Sequence, residues 1–136
     1  MYDVTTLTCE KGGDQALATA MAWGTKVKNG AAQQVYSWTV DANNVITVTC
    51  GSTPSGGAKL WQATNPTARD FRYELIGGVW ASTVLSGSTT FTGYCPPPAQ
   101  GWTAYFVEVD FGSDEKYTTQ VVINPDTLPF DGTHCL

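Results

Sequence analysis

The sequence is short of charge. Only 14% of its 136 residues are Asp, Glu, Lys or Arg, against about 25% in an ordinary soluble domain. Seven residues are basic and 12 acidic, for a formal charge of −5. That balance argues against nucleic-acid binding, which needs a basic stripe to neutralise phosphates. Long apolar runs are also missing, and a membrane span would need about 20 such residues. There is one histidine, His134, and no C-x-x-C pair among Cys9, Cys50, Cys95 and Cys135. Zinc sites need ligands at short spacing, so no metal or other cofactor is expected. No N-x-[ST] sequon occurs, because Asn65-Pro66-Thr67 carries the disqualifying proline. Met1-Tyr2-Asp3 opens no basic n-region or apolar h-region. A secretory signal, if there is one, is expected outside this chain.

What is present is threonine, at 20 residues, with 14 Gly and 5 Trp. Threonine and aromatics favour strands, and glycine favours turns. The length suits one domain with a core of its own. Four cysteines without metal spacing read as two disulfides, and hence a secreted or surface protein, with four buried thiols in a cytosolic protein as the plainer alternative.

Along the chain, Asp14 is a plausible helix N-cap and Gln15–Lys28 is Ala-rich. Leu17, Met21, Gly24 and Val27 or Lys28 recur on one face. A second face of Ala16, Ala20 and Gly24 is small and predicts close packing. Asn29-Gly30 is a natural stop. From Tyr36 onward the pattern is strand and turn. Strands are predicted at 36–40, 45–50, 58–64, 70–76, 79–85, 89–95, 103–111 and 117–124. The predicted organisation is an N-terminal segment 1–34 with a helix at about 14–29, a β-sandwich over 35–130, and a tail over 131–136. Short strands at such spacing indicate a mainly β, immunoglobulin or fibronectin type III-like sandwich preceded by one short α-helix.

Three segments are more specific than composition. They are Lys59-Leu-Trp-Gln-Ala-Thr-Asn-Pro-Thr-Ala-Arg-Asp-Phe-Arg72, Gly101-Trp-Thr-Ala-Tyr-Phe-Val-Glu108 and Pro125-Asp-Thr-Leu-Pro-Phe130. In this order they resemble the C-terminal region of the PhoPQ-activated pathogenicity-related protein family, and Tyr36-Ser-Trp-Thr-Val-Asp41 fits that region too. The resemblance covers about Tyr36 to Phe130, with the helix from Asp14 to Gly30 as the last helix before it. It implies an immunoglobulin-like sandwich that follows an α/β-hydrolase-like domain. The nucleophile elbow of such a domain has the form G-x-S-x-G, which this chain lacks. No family catalytic residue carries over, and the cysteines are not part of the pattern.

The remaining candidates each have a plainer reading beside the functional one. Arg69, Asp70 and Arg72 form a polar block that could recognise a ligand or dock a domain, or simply pair with nearby carboxylates. Glu108, Asp110, Asp114 and Glu115 could converge on calcium, but they lack regular spacing and read better as a solvated hairpin. Among the aromatics, Trp38 and Trp61 are expected inside, with Trp80 or Trp102 partly exposed. An exposed tryptophan row would make a carbohydrate platform, while aromatics also dominate interface cores. His134 has no nucleophile and third partner to make a relay. Pro96-Pro97-Pro98 reads as a stiff connector.

Four cysteines allow three pairings. The sandwich topology favours Cys9–Cys50 with Cys95–Cys135, since Cys50 and Cys95 would end strands at opposite poles. The expected function is a non-catalytic accessory module of an extracellular protein. It would dock on another domain or subunit through Arg69, Asp70, Arg72, Trp80 and Trp102. The alternatives are the C-terminal piece of a secreted serine-hydrolase-like enzyme, whose nucleophile lies upstream, and a carbohydrate-binding module.

Overall fold

A computed structural model describes residues 13–129. Cys9, Phe130, His134 and Cys135 lie outside them, and so do both halves of the favoured disulfide set that need Cys9 or Cys135. Helix α1 spans Gly13–Lys28. It ends in a Schellman turn, with Ala31 N–H bonding Lys26 O and Gly30 N–H bonding Val27 O. Gly30 takes the required left-handed conformation at φ 64°.

Strands β1 (Tyr36–Val40), β2 (Ile46–Cys50) and β5 (Thr90–Gly93) form one antiparallel sheet in the order β1-β2-β5. The second sheet holds β4 (Ala81–Leu85), β3 (Gly57–Asn65), β6 (Trp102–Asp110) and β7 (Lys116–Thr118), in that order. Strand β8 (Val122–Asn124) also pairs with β6. The two sheets face each other across one core, so the chain is an immunoglobulin or fibronectin type III-like β-sandwich preceded by a helix.

Alternation explains the layering. Ile46, Val48 and Phe91 point inward from the small sheet and meet Leu60, Tyr105, Val107 and Val109. Gly93 makes this close approach workable, because a Cβ there would press on Leu60 and Val107 side chains. The opposite face of the small sheet accounts for much of the threonine. Ser37 faces Thr49, Thr39 faces Thr47, and Thr90 and Thr92 continue the two rows on β5. Such cross-strand hydroxyl pairs suit a solvated sheet face.

The core holds one notable polar group. Tyr105 is fully buried, and its hydroxyl donates to Asn44 O at 2.6 Å, across to the β1–β2 turn. Burial pushes the phenol up to about 12. Tyr105→Phe leaves that carbonyl without its donor and should cost about 1 kcal/mol, read as a lower urea midpoint.

Within the sandwich, three expectations need correction. The strand predicted over 70–76 is absent. Asp70 Oδ1 instead accepts Arg72 N–H, and the chain coils into the single-turn helix α2 (Tyr73–Ile76). The strand predicted over 117–124 is split. The register slips by one residue between Glu108↔Thr118 and Thr103↔Asn124, which is a β-bulge. At the slip, Thr119 Oγ1 takes the place of a main-chain acceptor for Val107 N–H. Third, Trp61 is not in the core. It alternates with the core residue Leu60, so it stands on the outer face of the large sheet.

Register also bears on the cysteines. Ile46 faces Gly93, so Cys95 lies beyond one end of β2 while Cys50 closes the other. The length of β2 alone, at about 3.3 Å per residue, separates them by roughly 13 Å. A disulfide needs Cα atoms about 5.5–6 Å apart. Cys50–Cys95 is therefore excluded in this fold.

Candidate functional site

Helix α1 lies over the outer face of the large sheet, but it is held there by polar tethers. Thr19 Oγ1 donates to Asp114 O at 2.7 Å, and Lys26 Nζ meets Glu115 Oε2 at 2.6 Å. Glu115 is 3% exposed. It also accepts from Gln34 Nε2 at 3.5 Å and from the Tyr117 hydroxyl at 3.2 Å. Burial alone would raise its carboxyl. The hydrogen bonds from Lys26 and Gln34, the Lys26 charge and the Tyr117 hydroxyl outweigh that and hold it below the ordinary glutamate range.

Residues 15, 19 and 26 share one side of the helix, and that side meets the β6–β7 hairpin. The predicted close packing of Ala16, Ala20 and Gly24 does not occur. Ala16 and Ala20 are exposed, and nothing lies within 4 Å of a Cβ built on Gly24. The apolar row turns outward: Leu17 is 61% exposed and Met21 64%. No residue of α1 is buried.

Between α1 and the sheet runs a groove of about 1140 Å³. Its floor is the cross-strand pair Trp61 and Phe106, with Trp80 beside them and Trp23 reaching in from α1. The Trp61 and Phe106 rings are nearly parallel, at 14° and 6.5 Å between centroids. Trp80 tilts 53° to Phe106 at 5.6 Å. Lys59 and Glu108 form the next row, facing each other across β3 and β6. Sequence reasoning weighed Trp61 and Trp80 but missed Trp23, which sits in an Ala-rich helix without a patterned signal.

The polar block behaves differently. The structure brings the three recognisable segments together at one pole of the sandwich. Asn65 Oδ1 accepts from Thr67 N–H, Thr67 Oγ1 and Ala68 N–H, and its Nδ2 donates to Asp70 O at 2.7 Å. Trp102 Nε1 donates to Thr127 O at 2.9 Å, and Arg69 reaches Asp126 at 3.4 Å. Arg72 grips Asp70, which holds that carboxyl below its usual range. Arg69 and Trp102 are thus spent on tying the pole, whereas Trp80 belongs to the groove. Removing the hub with Asn65→Ala should cost about 2 kcal/mol, because several donors lose one acceptor and water replaces only some. Chemical denaturation measures it.

No catalytic grouping assembles from the described candidates. Glu115 is committed to Lys26, and Asp110 lies 3.6 Å from Lys116 and bonds Gly112 N–H. The four acids weighed for calcium do not converge on one point among the described residues, and of the hairpin expected to be solvated Glu115 is buried. Burial pushes the Cys95 thiol to about 11, and it donates to Gln62 Oε1; such a thiol is a poor nucleophile. No helix among the described residues is long and apolar enough to cross a membrane. Comparison with protein-family models, with curated proteins and with solved structures found no match.

Proposed function

We propose that this chain is a non-catalytic interaction module of an extracellular protein, docking on a partner domain through the outward face of α1. The observation that carries this reading is the inverted helix. An amphipathic helix normally buries its apolar stripe, yet α1 presents Leu17 and Met21 to solvent and rests on polar tethers. A 16-residue helix with no buried residue is marginal on its own. A partner surface covering that row would complete it. The resemblance implies an α/β-hydrolase-like partner domain upstream, whose enzymatic activity would be its own. The disulfides Cys9–Cys50 and Cys95–Cys135 would pin the two ends to the sandwich. Asn124 Nδ2 bonds Cys95 O at 2.9 Å, so the end of β8 runs beside Cys95 and supports the second pairing.

Cross-linking mass spectrometry on the native protein tests this. Lys28 flanks the apolar row and is exposed. The expected result is a Lys28 cross-link to a second domain or subunit, lost in Leu17→Asp/Met21→Asp. A native species near 14.6 kDa without such links would refute the reading.

A further inference from the structure

We infer that the groove between α1 and the large sheet is a binding site for a neutral oligosaccharide. Trp61 and Phe106 are cross-strand neighbours on one sheet face, and their rings stack at 14° with centroids 6.5 Å apart. Trp80 adds a third ring, tilted against Phe106. These rings put an apolar aromatic floor on the outside of a sheet, where the other sheet of the same molecule carries serine and threonine.

The rim is polar. Lys59 and Glu108 face each other there, yet no ion pair joins them among the described residues. Gln15 and Thr19 line the helix side. Ammonium, carboxylate, amide and hydroxyl groups thus edge an aromatic floor. An occupant with an apolar face and hydrogen-bonding groups around it matches both floor and rim. A pyranose ring has that form: C–H bonds on its faces and hydroxyls at its edge. An acyl chain would cover the rings but leave Lys59 and Glu108 desolvated without partners, at a cost. An anionic ligand would meet a chain of charge −5. The groove is open and somewhat larger than an enclosed drug-sized pocket of about 300–1,000 Å³, so a chain of sugars suits it better than one ring. This site is separate from the Leu17 and Met21 row, which faces away from it.

The test is an NMR titration of the ¹⁵N-labelled full chain with cellohexaose, xylohexaose, mannohexaose, laminarihexaose and chitohexaose. Indole N–H signals are followed. At least one sugar should shift Trp61 and Trp80 saturably, leaving Trp38 and Trp102 in place. Trp80→Ala should weaken that binding roughly tenfold, as loss of a central aromatic contact does. Glu108→Gln keeps the floor intact and should weaken it by a smaller factor, which covers the case in which Trp80→Ala does not fold. The inference falls if none of the five moves Trp61 and Trp80, or if dodecanoate saturates those signals and the sugars do not. It also falls if neither substitution changes the affinity. Docking by α1 stands or falls separately, on the Lys28 cross-link.

Discussion

Lys26→Met should release α1 while the sandwich stays folded. The substitution keeps the apolar stem and removes the ammonium that meets Glu115 at 2.6 Å. Glu115 is left as a buried carboxylate with only Gln34 and Tyr117. Breaking a buried ion pair from one side costs about 3–5 kcal/mol. Lys26 is itself 28% exposed on its side chain, which places the expected loss near the lower end, about 3 kcal/mol. The helix has Thr19 as its other tether to the hairpin and no buried residue to hold it. Far-UV circular dichroism should lose its helical component, and hydrogen exchange should speed up in 13–28 but not in β2 or β6. Adding Glu115→Gln should leave the helix released, because the ion pair is absent in both variants.

Acid should do the same reversibly. The folded carboxyl of Glu115 sits below the ordinary glutamate range. Its contribution is therefore complete above the unfolded value of about 4.3. It declines as the pH falls through the folded value, where the carboxylate takes a proton and its attraction for Lys26 disappears. Tyr117 and Gln34 face the same carboxylate, and both stay uncharged throughout. Asp110 and Lys116 form the neighbouring pair. Exchange in α1 should rise over that window in the wild type, and be already high and flat in Lys26→Met.

Gly101→Ala should destabilise the whole sandwich by about 3 kcal/mol, seen as a lower urea midpoint with an unchanged slope. Gly101 has φ +76°, a conformation that costs a side-chain-bearing residue about 1–2 kcal/mol. A Cβ there would also overlap Asn65 O and the backbone of Pro66. Those atoms are main chain and belong to the Asn65 hub, so no side-chain rotation relieves the overlap. The β3–β6 ladder would have to open at Asn65↔Trp102. Trp102 fluorescence should report that shift before global unfolding.

These positions show what could be read from the residues. Gly101 and Asn65 stood inside segments specific enough to be singled out, and their role proved local: a tight turn, and a side chain that ties its own loop. The sandwich was legible because Ile46, Val48 and Cys50, or Tyr105, Val107 and Val109, alternate cleanly. Residues 70–76 misled because Phe71, Tyr73, Leu75 and their neighbours have strand-like composition, while Asp70 side-chain bonding bends the chain. Trp61 misled because immunoglobulin-like sandwiches commonly bury a tryptophan on the third strand. Its parity with Leu60 already placed it on the opposite face. The groove was not legible, because it exists only where α1 crosses a sheet face built from strands far along the chain. Nothing in the Ala-rich helix marks Trp23 as lining the same groove as Trp80. The inverted setting of α1 depends on Glu115, which composition presents as one more acid on a hairpin.

The slip at Thr119 has a consequence for self-association. Strands β7 and β8 form the outer border of the large sheet, and an unbroken border strand would offer a row of open main-chain groups to another copy. The extra residue divides that row into two three-residue pieces and turns the chain between them. Thr119 donates its hydroxyl to Gln120 O, occupying a carbonyl at the break. That border thereby offers no continuous template for intermolecular β-pairing.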